Sequence, residues 1–322
     1  MKEFDEKAKQ KLCQRLAGIL QPEQILVDEK MSAHTTFRVG GEADIFVEIK
    51  TSAELEKVFE VLRAEGLSKL GSDFYLLGNG SNVLVSDSGI RGVVLHLSKE
   101  YGNIILDKTN STALVCEAGA SLAVIAHKAY EKGLTGFEFA AGIPGSLGGA
   151  IVMNAGAYGG EMRQVVKNVR LMTPYGTIIE KNADEMQFSY RHSILKEEPL
   201  VVLDVTIGLA HGSQQEIREK MEELATRRRD KQPLEYPSAG STFKRPEGYF
   251  AAKLIEDAGL RGFSVGGAQV SEKHCGFIVN KGNASAADIY ALIMEVQRRV
   301  KISSQIQIEP EVIFLGFDAH EH

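Results

Sequence analysis

This 322-residue chain is poor in cysteine and proline, has no long apolar run, and carries no excess of basic charge. Its three cysteines, Cys13, Cys116 and Cys275, are odd in number and far apart, which leaves no disulfide framework and no cysteine-based metal spacing. His34, His96, His127, His192 and His211 show no ligand spacing either, so no metal is expected. The opening MKEFDEKAKQ lacks the apolar core of a signal peptide. No stretch of about 18 apolar residues is available to cross a bilayer. With 37 Lys and Arg against 43 Asp and Glu, the net charge is −6, which argues against a nucleic-acid binder driven by overall charge. Together these absences predict a reduced, cytoplasmic protein without membrane insertion, and they name no protein partner.

Glycine is what the chain has in quantity, 32 residues against 8 prolines, and it is clustered. Clustered glycine lets backbone approach a ligand closely. Apolar residues at 43% and charged residues at 25% suit a globular chain with a real core. The length suggests two or three domains.

Hydrophobic spacing outlines the elements. Phe4, Ala8, Leu12, Leu16 and Ile19 predict a helix over 4–20. Thr51 and Glu54 form a capping box for a helix carrying Leu55, Val58, Phe59 and Leu62. Further helices are expected at 121–132, stopped by Gly133, then from Ser213 to about Arg229, at 250–258 and at 285–300. Strands are expected at 44–49, 74–77, 93–97, 103–106, 114–117 and 200–209, with a hairpin around Pro174-Tyr175-Gly176 and a closing strand over 306–314. Strands and helices mix without strict alternation, so the class is α+β. The main boundary is placed at 212/213. Residues 1–212 then form one region in two subdomains split near 70, and 213–322 form the other, its last strand a candidate to return to the first.

Two glycine loops stand out. Gly78-Asn79-Gly80-Ser81-Asn82 directly follows a strand, and Gly142-Ile143-Pro144-Gly145-Ser146-Leu147-Gly148-Gly149 runs on into Asn154 to Gly160. Such loops let backbone N–H groups converge on a phosphate, and two of them suit a dinucleotide. Tight turns packed on a sheet are the plainer alternative. Neither loop is a Rossmann fingerprint or a P-loop.

These loops, with Thr36-Phe37-Arg38-Val39-Gly40-Gly41, Ser189-Tyr190-Arg191-His192-Ser193, Ala239-Gly240-Ser241-Thr242-Phe243-Lys244-Arg245-Pro246 and Glu309-Pro310-Glu311-Val312, follow one another in a recognisable order. In that order they resemble the UDP-N-acetylenolpyruvoylglucosamine reductase family, from about residue 34 to 314. The short segment at 189–193 resembles the shorter subtype common in Gram-positive bacteria. The resemblance implies a two-part FAD-binding region of the p-cresol methylhydroxylase and vanillyl-alcohol oxidase type, followed by a C-terminal α+β substrate domain. It implies non-covalent FAD held by Gly78, Asn79, Gly80, Ser81, Asn82, Gly142, Ile143, Gly145, Ser146, Gly148 and Gly149. NADPH is the implied hydride donor and a UDP-sugar enolpyruvyl ether the implied substrate. Arg191 would grip the substrate carboxylate, Glu311 would act there in protonated form, and Ser241 would donate a proton to carbon, aided by Lys253 or a water relay. Arg227 and Lys231 would meet the uridine diphosphate, with His274 a further substrate-side residue.

Two other readings remain open on the sequence. One is another flavoenzyme of the same FAD-binding group, although the stretch 142–160 has no His or Cys to anchor flavin covalently. The other is a nucleotide-binding module without acid–base chemistry.

Overall fold

In the computed structural model, which describes residues 5–317, the periodic segments become the helices expected of them. Glu6–Leu16 buries Leu12 and Leu16 and is capped by Asp5, which accepts from the Ala8 N–H at 2.7 Å; Phe4 lies outside the described residues. Ser52–Ala64 buries Leu55, Val58, Phe59 and Leu62. Its Thr51 hydroxyl accepts from the Glu54 N–H, while the Glu54 carboxylate reaches one residue further back, to the Lys50 N–H at 2.7 Å. Leu122–Glu131 gives way to Gly133 at φ +63°, a left-handed stop that suits glycine. Gln214–Lys231, Ala251–Asp257 and Ala286–Ser304 complete the longer helices.

The chain forms two compact units that interleave along the sequence. The first takes the residues up to Val27, Asp44–Asn79 and Gly92–Arg227; the second takes Asp28–Ala43, Gly80–Arg91 and the residues from Arg228 on. A single cut near 212 does not express this interleaving. The helix Gln214–Lys231 stays with the first unit as far as Arg227. The Gly212 N–H bonds to the Gly133 carbonyl, and the Gln214 amide donates to the Tyr130 and Glu131 carbonyls, which hold the helix start in place.

Two sheets draw most of their residues from the first unit. One has the order Ile25–Lys30, Glu42–Ile49, Ile90–Leu97, Phe74–Leu77, the last two strands parallel. The other is antiparallel, ordered Ile178–Asn182, Val166–Met172, Val201–Gly208, Ala113–Glu117, Ile104–Leu106. The central strand, Val201–Gly208, alternates only over its second half and is otherwise buried on both faces. Cys116 lies in this sheet, fully buried, and burial pushes its thiol up to about 12, so it acts as a small apolar side chain.

The second unit contains an antiparallel sheet of Ser264–Val265, Ala268–Val270 and Ile278–Asn280, covered by Ala286–Ser304. That helix turns Ile289, Leu292, Ile293, Val296 and Val300 inward. It has a full capping box between Ser285 and Asp288, and Asp87 adds bonds to the Ala286 and Ala287 N–H groups at 2.8 and 2.9 Å. The expected strand over 306–314 shrinks to Ile313–Leu315, paired in parallel with Val83–Val85. Proline explains the break: Pro310 has no N–H for a ladder, so residues 309–311 meet 242–244 only through the bridge Phe243 to Pro310 and its flanking bonds. No helix among the described residues is long and apolar enough to cross a membrane.

Candidate active site

The glycine loops of the first unit are built against each other. Gly78 follows the strand Phe74–Leu77, and a Cβ there would overlap the Ser146 hydroxyl oxygen. Ser146 is buried and precedes the short helix Leu147–Val152. Three backbone bonds pin this loop: Leu122 N–H to Gly145 O, Leu147 N–H to Ala120 O, and Gly148 N–H to Ala118 O. Gly149, by contrast, is exposed, with nothing closer to a Cβ position than the Ser146 hydroxyl at 3.5 Å. The result is a bare backbone cradle with an open face, which fits the diphosphate of a bound FAD. Gly142, Ile143 and Gly145 lie on the same loop, Gly142 exposed and the other two partly so. In the first loop the unit division falls between Asn79 and Gly80. In the second unit Gly80, at φ +59°, lies so close to the His34 carbonyl that no side chain could stand there.

Arg191 belongs to the first unit. Ser189 and His192 exchange both backbone hydrogen bonds, at 3.1 and 3.2 Å, which leaves Tyr190 and Arg191 as the two residues of a tight turn. Arg191 takes φ +55°, a left-handed conformation that costs a non-glycine residue roughly 1–2 kcal/mol. Its guanidinium stands 3.5 Å from the Gly156 carbonyl and 5.3 Å from the centre of the exposed Tyr190 ring. Behind the turn lies Asn154, fully buried and also left-handed at φ +42°. Its amide donates to the Ser189 carbonyl and to Glu161, and its oxygen accepts from the Arg163 N–H. Asn154 thus ties the loop after the second glycine cluster to the turn carrying Arg191. Its place beside Ala155-Gly156 is the one sign of this role that the sequence carries.

Ser241, Glu311 and His274 belong to the second unit, together with Ser81 and Asn82. Ser241 is exposed and follows Gly240, which has φ +75°. The next residue, Thr242, is fully buried, and its carbonyl accepts the Glu311 N–H at 2.7 Å. The Glu311 carbonyl accepts from the Asn82 side-chain amide at 3.1 Å, and the Asn82 carbonyl takes the Ile313 N–H at 3.0 Å. The Glu311 peptide is therefore held on both sides, one side by the residue after Ser241 and the other by the first glycine loop. Two residues earlier, the exposed Glu309 pairs with Lys244 at 2.9 Å, which holds its carboxyl below the usual range. The two glutamates thus stand in different surroundings, Glu309 exposed beside an ammonium and Glu311 partly buried.

His274 accepts the Gly276 N–H on Nδ1 at 3.1 Å, which places the proton of the neutral ring on Nε2. Burial lowers its pKa and favours that neutral form. The ring meets Phe277 edge-on, with centroids 5.0 Å apart. Arg227 and Lys231 are exposed at the end of the helix Gln214–Lys231, Arg227 paired with Glu223 at 2.5 Å. Lys273, beside His274, donates to the Arg229 carbonyl at 2.6 Å. Lys253 is exposed and bound to Asp257 at 2.5 Å, one helical turn on. The Arg245 guanidinium stands over the Phe250 ring, 3.8 Å from its centre.

Comparison with known proteins matches both parts of the chain. A family model described as FAD binding domain covers residues 43–182, and one described as UDP-N-acetylenolpyruvoylglucosamine reductase, C-terminal domain, covers 232–315. The UDP-N-acetylenolpyruvoylglucosamine reductase of Caldanaerobacter subterraneus subsp. tengcongensis is 50% identical over 305 residues, covering 95% of this chain and 98% of its own. That of Clostridioides difficile is 49% identical over 303 residues, covering 94% and 97%. The crystal structure of the reductase from Thermus caldophilus is 33% identical, covers 90% of this chain and 98% of its own, and superimposes with a TM-score of 0.75. An FAD-binding region followed by a C-terminal α+β domain is the architecture these matches share. The chain belongs to the UDP-N-acetylenolpyruvoylglucosamine reductase family.

Proposed function

We propose that this FAD-dependent oxidoreductase reduces UDP-N-acetylglucosamine enolpyruvate to UDP-N-acetylmuramate in the cytoplasm, with NADPH as the hydride donor, as a step of peptidoglycan precursor synthesis. The observation that carries the reading is the pairing of Ser241 and Glu311 in one hydrogen-bonded scaffold that also includes the first glycine loop. FAD held there would supply the hydride chemistry between NADPH and the terminal carbon of the enolpyruvyl ether.

As hydride arrives, negative charge develops on the substrate carboxylate. Arg191 meets it with a fixed charge and a two-pronged fork. Glu311, in protonated form, donates there as well, and Ser241 delivers the proton to the neighbouring carbon. Arg227 and Lys231 offer cations to the diphosphate, and His274, neutral with its proton on Nε2, offers a single donor to the sugar nucleotide. Gly78, Asn79, Gly80, Ser81, Asn82 and the 142–149 loop hold FAD without a covalent link, since no His or Cys occurs in 142–160.

The test is anaerobic absorbance spectroscopy of the purified protein. The flavin band bleaches with NADPH and returns on adding the enolpyruvyl substrate. In Ser241→Ala the bleaching persists at the parent rate and the return is lost. A flavin that stays reduced in the parent protein contradicts the substrate assignment. An equal rate of return in Ser241→Ala contradicts the proton-donor role.

A further inference from the structure

Resting on the roles just assigned to Ser241 and Glu311, we infer that Thr242 is a positioning residue, whose buried hydroxyl sets the spacing between the proton donor before it and the carboxyl group across from it. Thr242 is fully buried, as is Phe243 after it, while Ser241 before it is exposed. It makes three bonds to two segments of the second unit, the stretch holding Gly276 and Ile278 and the stretch holding Glu311. Its N–H donates to the Gly276 carbonyl at 2.8 Å, its Oγ1 accepts the Ile278 N–H at 3.1 Å, and its carbonyl accepts the Glu311 N–H at 2.7 Å.

Each of these segments carries part of the candidate site. The Gly276 end belongs to the turn Ser271–Phe277, which is closed on itself by the Ser271 hydroxyl and by His274. Ser241 is bridged to Phe277 at the end of that turn. Ile278 begins the strand Ile278–Asn280, which is buried throughout. Glu311 is the third partner. The two backbone bonds can form with any residue but proline at 242, whereas the hydroxyl bond is the only one of the three made by a side chain. It is what fixes the peptide plane of residue 242 against a rigid strand, and therefore where Ser241 and Glu311 stand with respect to one another. Proton delivery is sensitive to this, because a misplacement of about 1 Å can cost on the order of a hundredfold in rate.

Three substitutions separate this role from simple stability. Thr242→Val keeps the shape and removes the acceptor, Thr242→Ala removes both, and Thr242→Ser keeps the hydroxyl. Stopped-flow spectroscopy measures flavin reduction by NADPH and reoxidation by the enolpyruvyl substrate separately. In Val and Ala, reoxidation is expected to slow about ten- to a hundredfold in its maximal rate, with reduction by NADPH within about twofold of the parent. Ser should restore reoxidation to within about threefold. If Val does not fold, the Ala and Ser pair decides. Reoxidation in Ala as fast as in Ser overturns the inference, as does an equal slowing of both half-reactions, which marks a general structural role. Failure of the parent protein to reoxidise with this substrate falls on the function proposed above, and is visible before any substitution is made.

Discussion

The two units prepare their functional residues by opposite means. The first relies on what is missing from the backbone and on strain: Gly78 leaves room that Ser146 fills, Gly149 stays bare, and Arg191 and Asn154 are both held left-handed. The second relies on buried polar bonds: Thr242, Asn280 and Asn82 each join two or more segments. The difference follows from what each must hold. A cofactor diphosphate needs donors and space, which glycine backbone supplies. A proton donor and a carboxyl group need fixed separation, which only satisfied hydrogen bonds between rigid segments supply.

That comparison can be broken at either end. The largest effect is expected at Gly78. Gly78→Val forces a side chain into Ser146, so the purified protein should lose its flavin absorbance entirely while remaining folded by circular dichroism. Full flavin content in this variant would mean that the crowding seen at Gly78 is not part of the cofactor cradle.

Next comes Asn280, the buried amide of the second unit. Its Nδ2 donates to the Phe37 carbonyl at 3.0 Å and its Oδ1 accepts from Gly282 and Ala284. Asn280→Leu strands three backbone groups, each costing about 1–3 kcal/mol when left unpaired. The expected loss is about 3 kcal/mol in urea denaturation, larger than for any single glycine-to-alanine change on the exposed face of the first unit.

A smaller effect sharpens the strain argument. Arg191→Ala and Arg191→Gly both remove the guanidinium and abolish turnover. They differ only in backbone freedom, so the glycine variant should be more stable by about 1 kcal/mol. Equal stability would mean that the left-handed turn is not strained.

The smallest effect concerns pH. The His274 pKa is lowered on folding, chiefly by burial. A lowered folded-state pKa means that the unfolded chain binds the proton more readily, so stability is present above about pH 6.5 and declines as the pH falls through that value and then the folded one. His274→Gln should flatten that decline, read from melting temperatures between about pH 7.5 and 5. An unchanged slope would remove His274 as its source.

Much of this was legible in the sequence. Helices at 52–64, 122–131 and 286–304 follow from apolar spacing and caps that act within a few residues, and the hairpin at 173–177 follows from its Pro-Tyr-Gly turn. The glycine loops were visible because their composition is local. What stayed hidden depends on distant partners. The strand Val83–Val85 finds its mate some 230 residues later, at Ile313–Leu315, and the closing strand was read too long because only its partner reveals where Pro310 interrupts pairing. Asn154 and Thr242 look like ordinary polar residues until the segments they join are side by side.

The sequence by itself determined the α+β class, the glycine loops and the ordered motifs that identify the family, because each is written in residue type and short spacing. Only the tertiary structure decided that the chain interleaves into two units rather than dividing once, that Asn82 supports Glu311, and that Lys253 turns to Asp257. Those outcomes rest on hydrogen bonds and ion pairs between groups whose approach depends on packing, and packing brings together residues that linear spacing keeps apart.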